Sequence, residues 1–210
     1  DKSDRLYIIS NRDNYQGSMY AWTYTSKIMG QEMGKTFPDI ESYSRYSNQN
    51  NFLTTYQDRN LKTNFAFVDS GFFNMFSFQL VAGNKDKLLS DPRSIVLTEK
   101  KAKDLFGVEN PIGKIIRIDS VDQVQVQAVI KDLPENSSFD FEGLLSWEYA
   151  KTINFYDENW TNNSVETYIL LKPDVALSEF NNKIKTFTRD NISVDKNLIK
   201  NLEIFDKPME

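Results

Sequence analysis

Apolar and polar positions change period several times along the chain, and each change marks an element. Ser94-Ile95-Val96-Leu97 is a short run without a charged residue, which predicts a buried strand. Thr98 follows in the position of a helix N-cap. Ala102, Leu105 and Phe106 then share one face of a short amphipathic helix, and Gly107 stands where that helix should end. Beyond it, Asn110-Pro111-Ile112-Gly113 has Pro and Gly where a type I turn uses them. Residues 115–118 and the alternating Val124, Val126, Ala128 and Ile130 predict half-buried strands.

The flanks read in the same way. Residues 5–9 predict a first strand, followed by a polar connection through residues 14–17. Tyr24, Ile28, Met33 and Phe37, with Met29 widening the stripe, predict a helix stopped by Pro38. Residues 42–47, 52–57 and 61–68 predict three strands, with turns at 48–51 and 58–60. Phe72, Phe73, Phe76 and Phe78 are too dense for one strand face, so a turn or short helix is expected over residues 70–75, with these rings as core. Residues 166–171 predict a strand stopped by Pro173, and Leu177, Phe180, Ile184 and Phe187 form one helical face. Residues 202–205 predict a last strand. Both ends thus carry a strand, helix, strand pattern around a middle rich in strands and turns. The simplest arrangement is α+β: residues 1–58 and 156–210 pair into a terminal subdomain, and residues 59–155 form a smaller strand-rich insertion.

A length of 210 residues allows one large domain or two modest ones that share a core. With 40% apolar residues, 13% aromatics and a mean hydropathy of −0.54, the chain should fold and dissolve in water. The formal net charge of −5 argues against an extended electropositive surface, hence against nucleic acid as a partner. Cysteine is absent, which excludes disulfides and thiolate chemistry; histidine is absent too, which removes the commonest general base and transition-metal ligand. No apolar run approaches the ~20 residues of a membrane span, and no signal peptide opens the chain, so the sequence as given is expected to be a soluble piece.

Candidate chemistry is sparse. Gly107 to Gly113-Lys114 has five residues between the glycines where a phosphate loop needs four, and Ile115 replaces the magnesium-binding Ser or Thr. Ser193-Val-Asp-Lys196 matches Ser-x-x-Lys without its companion motifs. Asp140 and Glu142, alternating with Phe139 and Phe141, read as the solvated face of a strand, and Asp119 and Asp122 flank a turn. Tyr43, Tyr46, Tyr56, Trp22, Trp147 and Trp160 would line a peptide or glycan groove if they converged. Asn136, Asn162 and Asn191 begin glycosylation-type triplets that an Asn- and Ser-rich chain contains by chance. No catalytic, cofactor-binding or metal-binding residue is assigned, and no enzymatic activity is expected.

The succession Phe72-Phe-Asn-Met-Phe-Ser-Phe-Gln-Leu-Val-Ala-Gly83, Asp91-Pro-Arg-Ser-Ile-Val-Leu-Thr-Glu-Lys-Lys-Ala-Lys-Asp-Leu-Phe-Gly107 and Asn110-Pro-Ile-Gly-Lys114 resembles the extracytoplasmic domain of MacB-like, FtsX-type ABC transporter permeases, in versions common in Bacteroidetes-type bacteria. The segments at residues 3–10 and 129–146 extend the resemblance over nearly the whole chain. It implies a porter-like terminal subdomain with a smaller insertion, placed at the periplasmic face of the bacterial inner membrane. It implies a non-enzymatic role, coupling cytoplasmic ATP hydrolysis mechanically to export or extracytoplasmic substrate handling. The implied partners are a second permease copy, a cytoplasmic ATP-binding subunit or domain, and a periplasmic adaptor. Two other functions fit the residues alone: a secreted peptide- or glycan-binding module, and a His-free carboxylate hydrolase.

Overall fold

The computed structural model describes residues 2–15 and 17–192. In chain order the elements are β1 (Leu6–Ile8), β2 (Asn11–Tyr15), β3 (Ser18–Trp22), β4 (Tyr24–Ser26), α1 (Met29–Thr36), β5 (Ile40–Tyr56), β6 (Arg59–Val68), α2 (Phe72–Met75), β7 (Leu80–Gly83) and β8 (Ser94–Thr98). They continue as α3 (Glu99–Phe106), β9 (Ile115–Ile118), β10 (Asp122–Ile130), β11 (Gly143–Ser146), α4 (Trp147–Thr152), β12 (Asn163–Leu171), α5 (Leu177–Ile184) and α6 (Phe187–Ile192). The fold is α+β, as expected.

One large sheet runs β1-β12-β5-β6-β11-β8-β10-β7, with β4 beside β1 on β12. Strand β9 pairs with both β10 and the far end of β5. The path β5-β6-β11-β8-β10-β9 therefore closes on itself as a ring of six strands. The inward side chains of this ring, among them Phe65, Phe67, Ile95, Leu97, Ile116, Val124 and Leu145, form one core cluster. Helix α3 touches β5, β6, β8 and β10, so it lies across one mouth of the ring, with Ala102, Leu105 and Phe106 buried in that cluster. The outer faces of the same strands carry Ala66, Val68, Val96, Ala128 and Leu144 into a second cluster with Tyr46, Phe72 and Phe141. A third cluster joins Ile9, after β1, and Met29 and Met33 of α1 to Trp160, Ile169 and Phe180, with Phe187 and Ile192 of α6 packed against it. The first strand and the last described helix thus share one core.

Strand β5 belongs to both halves. Its first part pairs with β12, from Ile40 opposite Leu171 to Tyr46 opposite Glu166, and its second part is a stave of the ring. The turn expected at residues 48–51 is a bulge between Ser47 and Asn50 within a continuous strand of 17 residues. Asn50 Nδ2 fills the break by donating to Ser47 O at 3.0 Å and Phe65 O at 3.2 Å. Asn-rich segments suit both outcomes, because the amide side chain replaces lost backbone partners in either.

Other local expectations are also corrected. Tyr24 lies in β4 and not in the first helix, which begins at Met29. The polar connection after β1 is the β2–β3 hairpin. Residues 139–142 are not a strand; β11 begins at Gly143. The C-terminal helical face is divided between α5 and α6. The strand expected at 202–205 lies outside the described residues, as do Ser193 and Lys196.

The strand, helix and turn at residues 94–118 follow the sequence closely. Thr98 Oγ1 accepts from Lys101 N, and Gly107, at φ +64°, closes α3 by donating its amide to Lys103 O at 2.8 Å. The next turn is displaced by one residue. Lys114 N donates to Pro111 O at 3.1 Å, and Gly113 occupies the third turn position at φ +80°, the type II pattern and not type I. A Cβ there would meet nothing within 4 Å, so the cost of a side chain is conformational alone. Gly113→Ala should lower stability by about 1 kcal/mol, or about 2–4 °C in a thermal melt. An unchanged melting temperature would contradict this.

Candidate functional site

Where the terminal strands meet the ring, charged side chains gather in the interior. Arg45, on β5 just before the bulge, is 1% exposed. Its Nε donates to Asp69 Oδ2 at 2.9 Å and its Nη2 to Asp69 Oδ1 at 2.6 Å, a two-pronged pair of the kind guanidinium geometry favours. Nη1 donates to Lys27 O at 2.6 Å, and the backbone amide of Arg45 also donates to Asp69 Oδ2, at 2.8 Å. The guanidinium carbon lies 4.8 Å from the Trp147 ring centre and 5.7 Å from that of Tyr156. Trp147 Nε1 returns a hydrogen bond to Arg45 O at 3.3 Å. One side chain thus joins the segment before α1, β5, the end of β6, α4 and the segment after α4. Burial alone would lower the Arg45 pKa, but the hydrogen bonds and charge of Asp69 outweigh it and raise it.

Glycine clears the space around this centre. A Cβ on Gly30 would stand 2.9 Å from Arg45 Cγ, and one on Gly71 would stand 2.2 Å from Tyr43 O. Beside it, Lys27 Nζ donates to Phe155 O and to Asp157 Oδ2, both at 2.8 Å, and lies 4.7 Å from the Phe155 ring centre. Burial pushes the Asp157 carboxyl up, but hydrogen bonds from Lys27 and the Asn159 backbone amide hold it below its usual range. Within the ring, Lys101 Nζ donates to Lys62 O at 3.1 Å and pairs with Glu142 at 2.9 Å. The other oxygen of Glu142 accepts from Asn64 N, so this residue is an anchor between α3 and β6 and not a solvated strand face.

These groups are suited to holding parts together. Among the described residues each buried charge is already neutralised by a partner, and the carboxylates of the nearby recess of about 290 Å³, Glu41 and Asp69, are bound by Arg5 and Arg45. Among the described residues no three His, Cys, Asp or Glu side chains gather as a metal site. Asp119 serves the β9–β10 turn, at φ +48°, and accepts from Leu53 N at 2.8 Å. Lys114, at the rejected phosphate loop, pairs with Glu109. The aromatic residues that would have lined a groove do not converge: Trp147 and Tyr56 belong to the first core cluster, Tyr46 to the second, and Trp160 and Tyr43 to the third. Burial pushes the Tyr46 hydroxyl up to about 12. The Arg45–Asp69 pair is not legible in the sequence because Arg45 lies among Ser and Tyr residues of an ordinary strand and Asp69, 24 residues on, just follows the end of β6.

Comparison with known proteins follows the same lines. The family model described as the MacB-like periplasmic core domain matches residues 1–187. Among solved structures, a domain of a protein described as a permease from Porphyromonas gingivalis superposes with a TM-score of 0.73 at 23% identity, over 89% of this chain and 81% of that one. The periplasmic region of MacB from Actinobacillus actinomycetemcomitans gives 0.60 at 15% identity, over 80% and 74%. The extracellular domain of the noncanonic ABC-type transporter YknZ from Gram-positive bacteria gives 0.54 at 15% identity, over 86% of each chain. Curated protein sequences give no match. Among the described residues no helix is long and apolar enough to cross a membrane.

Proposed function

Because the chain belongs to the family of MacB-like periplasmic core domains, the periplasmic part of ABC transporter permeases at the inner membrane, we propose that it acts as a stiff mechanical link. In this reading it has no catalytic role. Movement of the membrane helices, driven by a cytoplasmic ATP-binding subunit or domain, enters through the terminal strands and turns the ring as a rigid body against a second permease copy. Export or extracytoplasmic handling of a substrate follows from that rotation, and a periplasmic adaptor docks on the moving part. The division into a terminal unit (residues 1–58 and 156–210) and an insertion (residues 59–155) belongs to this proposal; β5, in the terminal unit, lends its second part to the ring that the insertion otherwise builds.

The observation that carries the reading is the junction itself. Strand β5 continues through its bulge from one half to the other, and Arg45 and Asp69 clamp the halves where it crosses. A packed junction of this kind transmits displacement without absorbing it. Spin labels test the idea in the assembled permease, since these 210 residues contain no cysteine of their own. Labels at the exposed Val108 and Leu177 report within one copy, and labels at Val108 in both copies report between them. Adding ATP should change the distance between copies and leave the distance within a copy unchanged. A constant distance between copies, or a changed distance within one, would refute the rigid-body link.

A further inference from the structure

The β2–β3 hairpin forms a two-stranded sheet apart from the large one. Its base is tied to the body by Asn11 Nδ2, which donates to Tyr24 O at 2.9 Å and Asn163 Oδ1 at 3.2 Å. A two-stranded ribbon by itself is marginal in water. Strand β3 reads Ser18-Met19-Tyr20-Ala21-Trp22, with neither charge nor proline, and its first four residues are exposed, Met19 at 66% and Tyr20 at 53%. Soluble proteins guard such an edge with charges, prolines or bulges. Strand β2 has Arg12 and Asp13; β3 has no such guard.

The register decides which backbone groups the edge offers. Tyr15 opposes Ser18 with only two residues between them, so the pairs 15/18, 13/20 and 11/22 exchange hydrogen bonds. The amides and carbonyls of Met19 and Ala21 then point away from β2. We propose that this edge docks the β3 strand of a second copy, antiparallel about a two-fold axis at Tyr20. The inference rests on the pairing of permease copies proposed above and names its surface. Met19 of each copy opposes Ala21 of the other and exchanges two main-chain hydrogen bonds with it, Tyr20 faces Tyr20, and Ser18 faces Trp22. Every contact is reciprocal, as a two-fold interface requires, and no like charges meet. The resulting four-stranded sheet ends on β2 at both sides, so its new edges are the charged ones. That self-complementarity favours a second copy over an acidic or basic segment of another protein. Strands of five residues give a weak contact, which tethering in one membrane would make effective.

Single cysteines test the register, because the native chain has none. Opposed residues of a non-hydrogen-bonded pair have Cα atoms about 4.5 Å apart, within disulfide reach. Met19→Cys alone lies two residues out of register with its own symmetry mate, beyond that reach. At about 1 mM, the effective concentration that a short tether supplies, mild oxidation should convert Tyr20→Cys to a covalent dimer at least about tenfold faster than Met19→Cys or Ala21→Cys. Mixing the last two variants should restore cross-linking. Adding Ala21→Pro to Tyr20→Cys removes an outward amide, leaves the hairpin bonds intact, and should abolish the dimer. Sedimentation of the unaltered chain separates the two levels of the argument. A dimer in which Tyr20→Cys reacts no better than the controls would place the interface elsewhere and overturn this proposal alone. No dimer and no cross-link would overturn the pairing of isolated copies as well.

Discussion

Replacing Arg45 with Ala should lower the melting temperature by on the order of 10 °C. Removing one member of a buried ion pair costs about 3–5 kcal/mol, and each kcal/mol moves the midpoint of a domain of this size by about 2–4 °C. The loss has identifiable parts. Asp69, whose side chain is only 15% exposed, would lose its two guanidinium donors. Lys27 O would lose its donor, and Trp147 and Tyr156 would border a void. Arg45→Lys should recover only part of the loss, since one ammonium cannot bridge both Asp69 oxygens, reach Lys27 O and stack on the rings together. Asp69→Ala should cost as much as Arg45→Ala, and the double variant less than the sum, because each single change already breaks the pair. Denaturant unfolding of the four proteins checks this. A loss below about 1 kcal/mol for Arg45→Ala would show that the pair behaves like a surface salt bridge and does not clamp the halves.

A loss of comparable size is expected from Phe72→Ala. Phe72 is 0% exposed and is the hub of an aromatic cluster, with Phe76 at 4.9 Å, Phe139 at 5.1 Å, Phe78 at 5.3 Å and Tyr46 at 6.0 Å between ring centres. Truncating a buried phenylalanine costs about 3–5 kcal/mol through lost transfer energy and the cavity left behind. The local effect should exceed the global one. Helix α2 has four residues and almost no helical stability of its own, so Phe72 anchors it to the outer face of the ring. Phe73→Ala, at the half-buried rim, should cost less than half as much. Thermal melts rank the two variants, and amide exchange over residues 70–76 should quicken in Phe72→Ala more than in Phe73→Ala. Equal losses for the two would remove the hub assignment.

The candidate site was less legible than the fold. Thr98, Gly107 and the apolar face of α3 announce themselves because caps and helical periods act over three or four residues. Nothing of that range links Arg45 to Asp69 or Trp147. Each sits in an ordinary local context, and their meeting follows from β6 pairing with both β5 and β11. The dense phenylalanines of residues 72–78 were readable as core, and a turn or short helix among them was expected, because no single strand face holds four large rings.

By itself the sequence determined the α+β class, the strand and helix at residues 94–107, the strand at residues 115–118, the absence of cysteine and histidine chemistry, and the resemblance that family membership bears out. These follow from local periodicity, composition and the order of motifs. Tertiary structure alone decided that residues 48–51 bulge and do not turn, that β9 closes the ring on β5, and that Tyr24 pairs with Glu166 in place of joining a helix. The physical reason is shared by all three. A backbone amide or carbonyl must be satisfied, but its own neighbours do not specify which distant strand will satisfy it. Pairing partners are chosen by the burial of a whole face, and that face exists only once the chain has assembled.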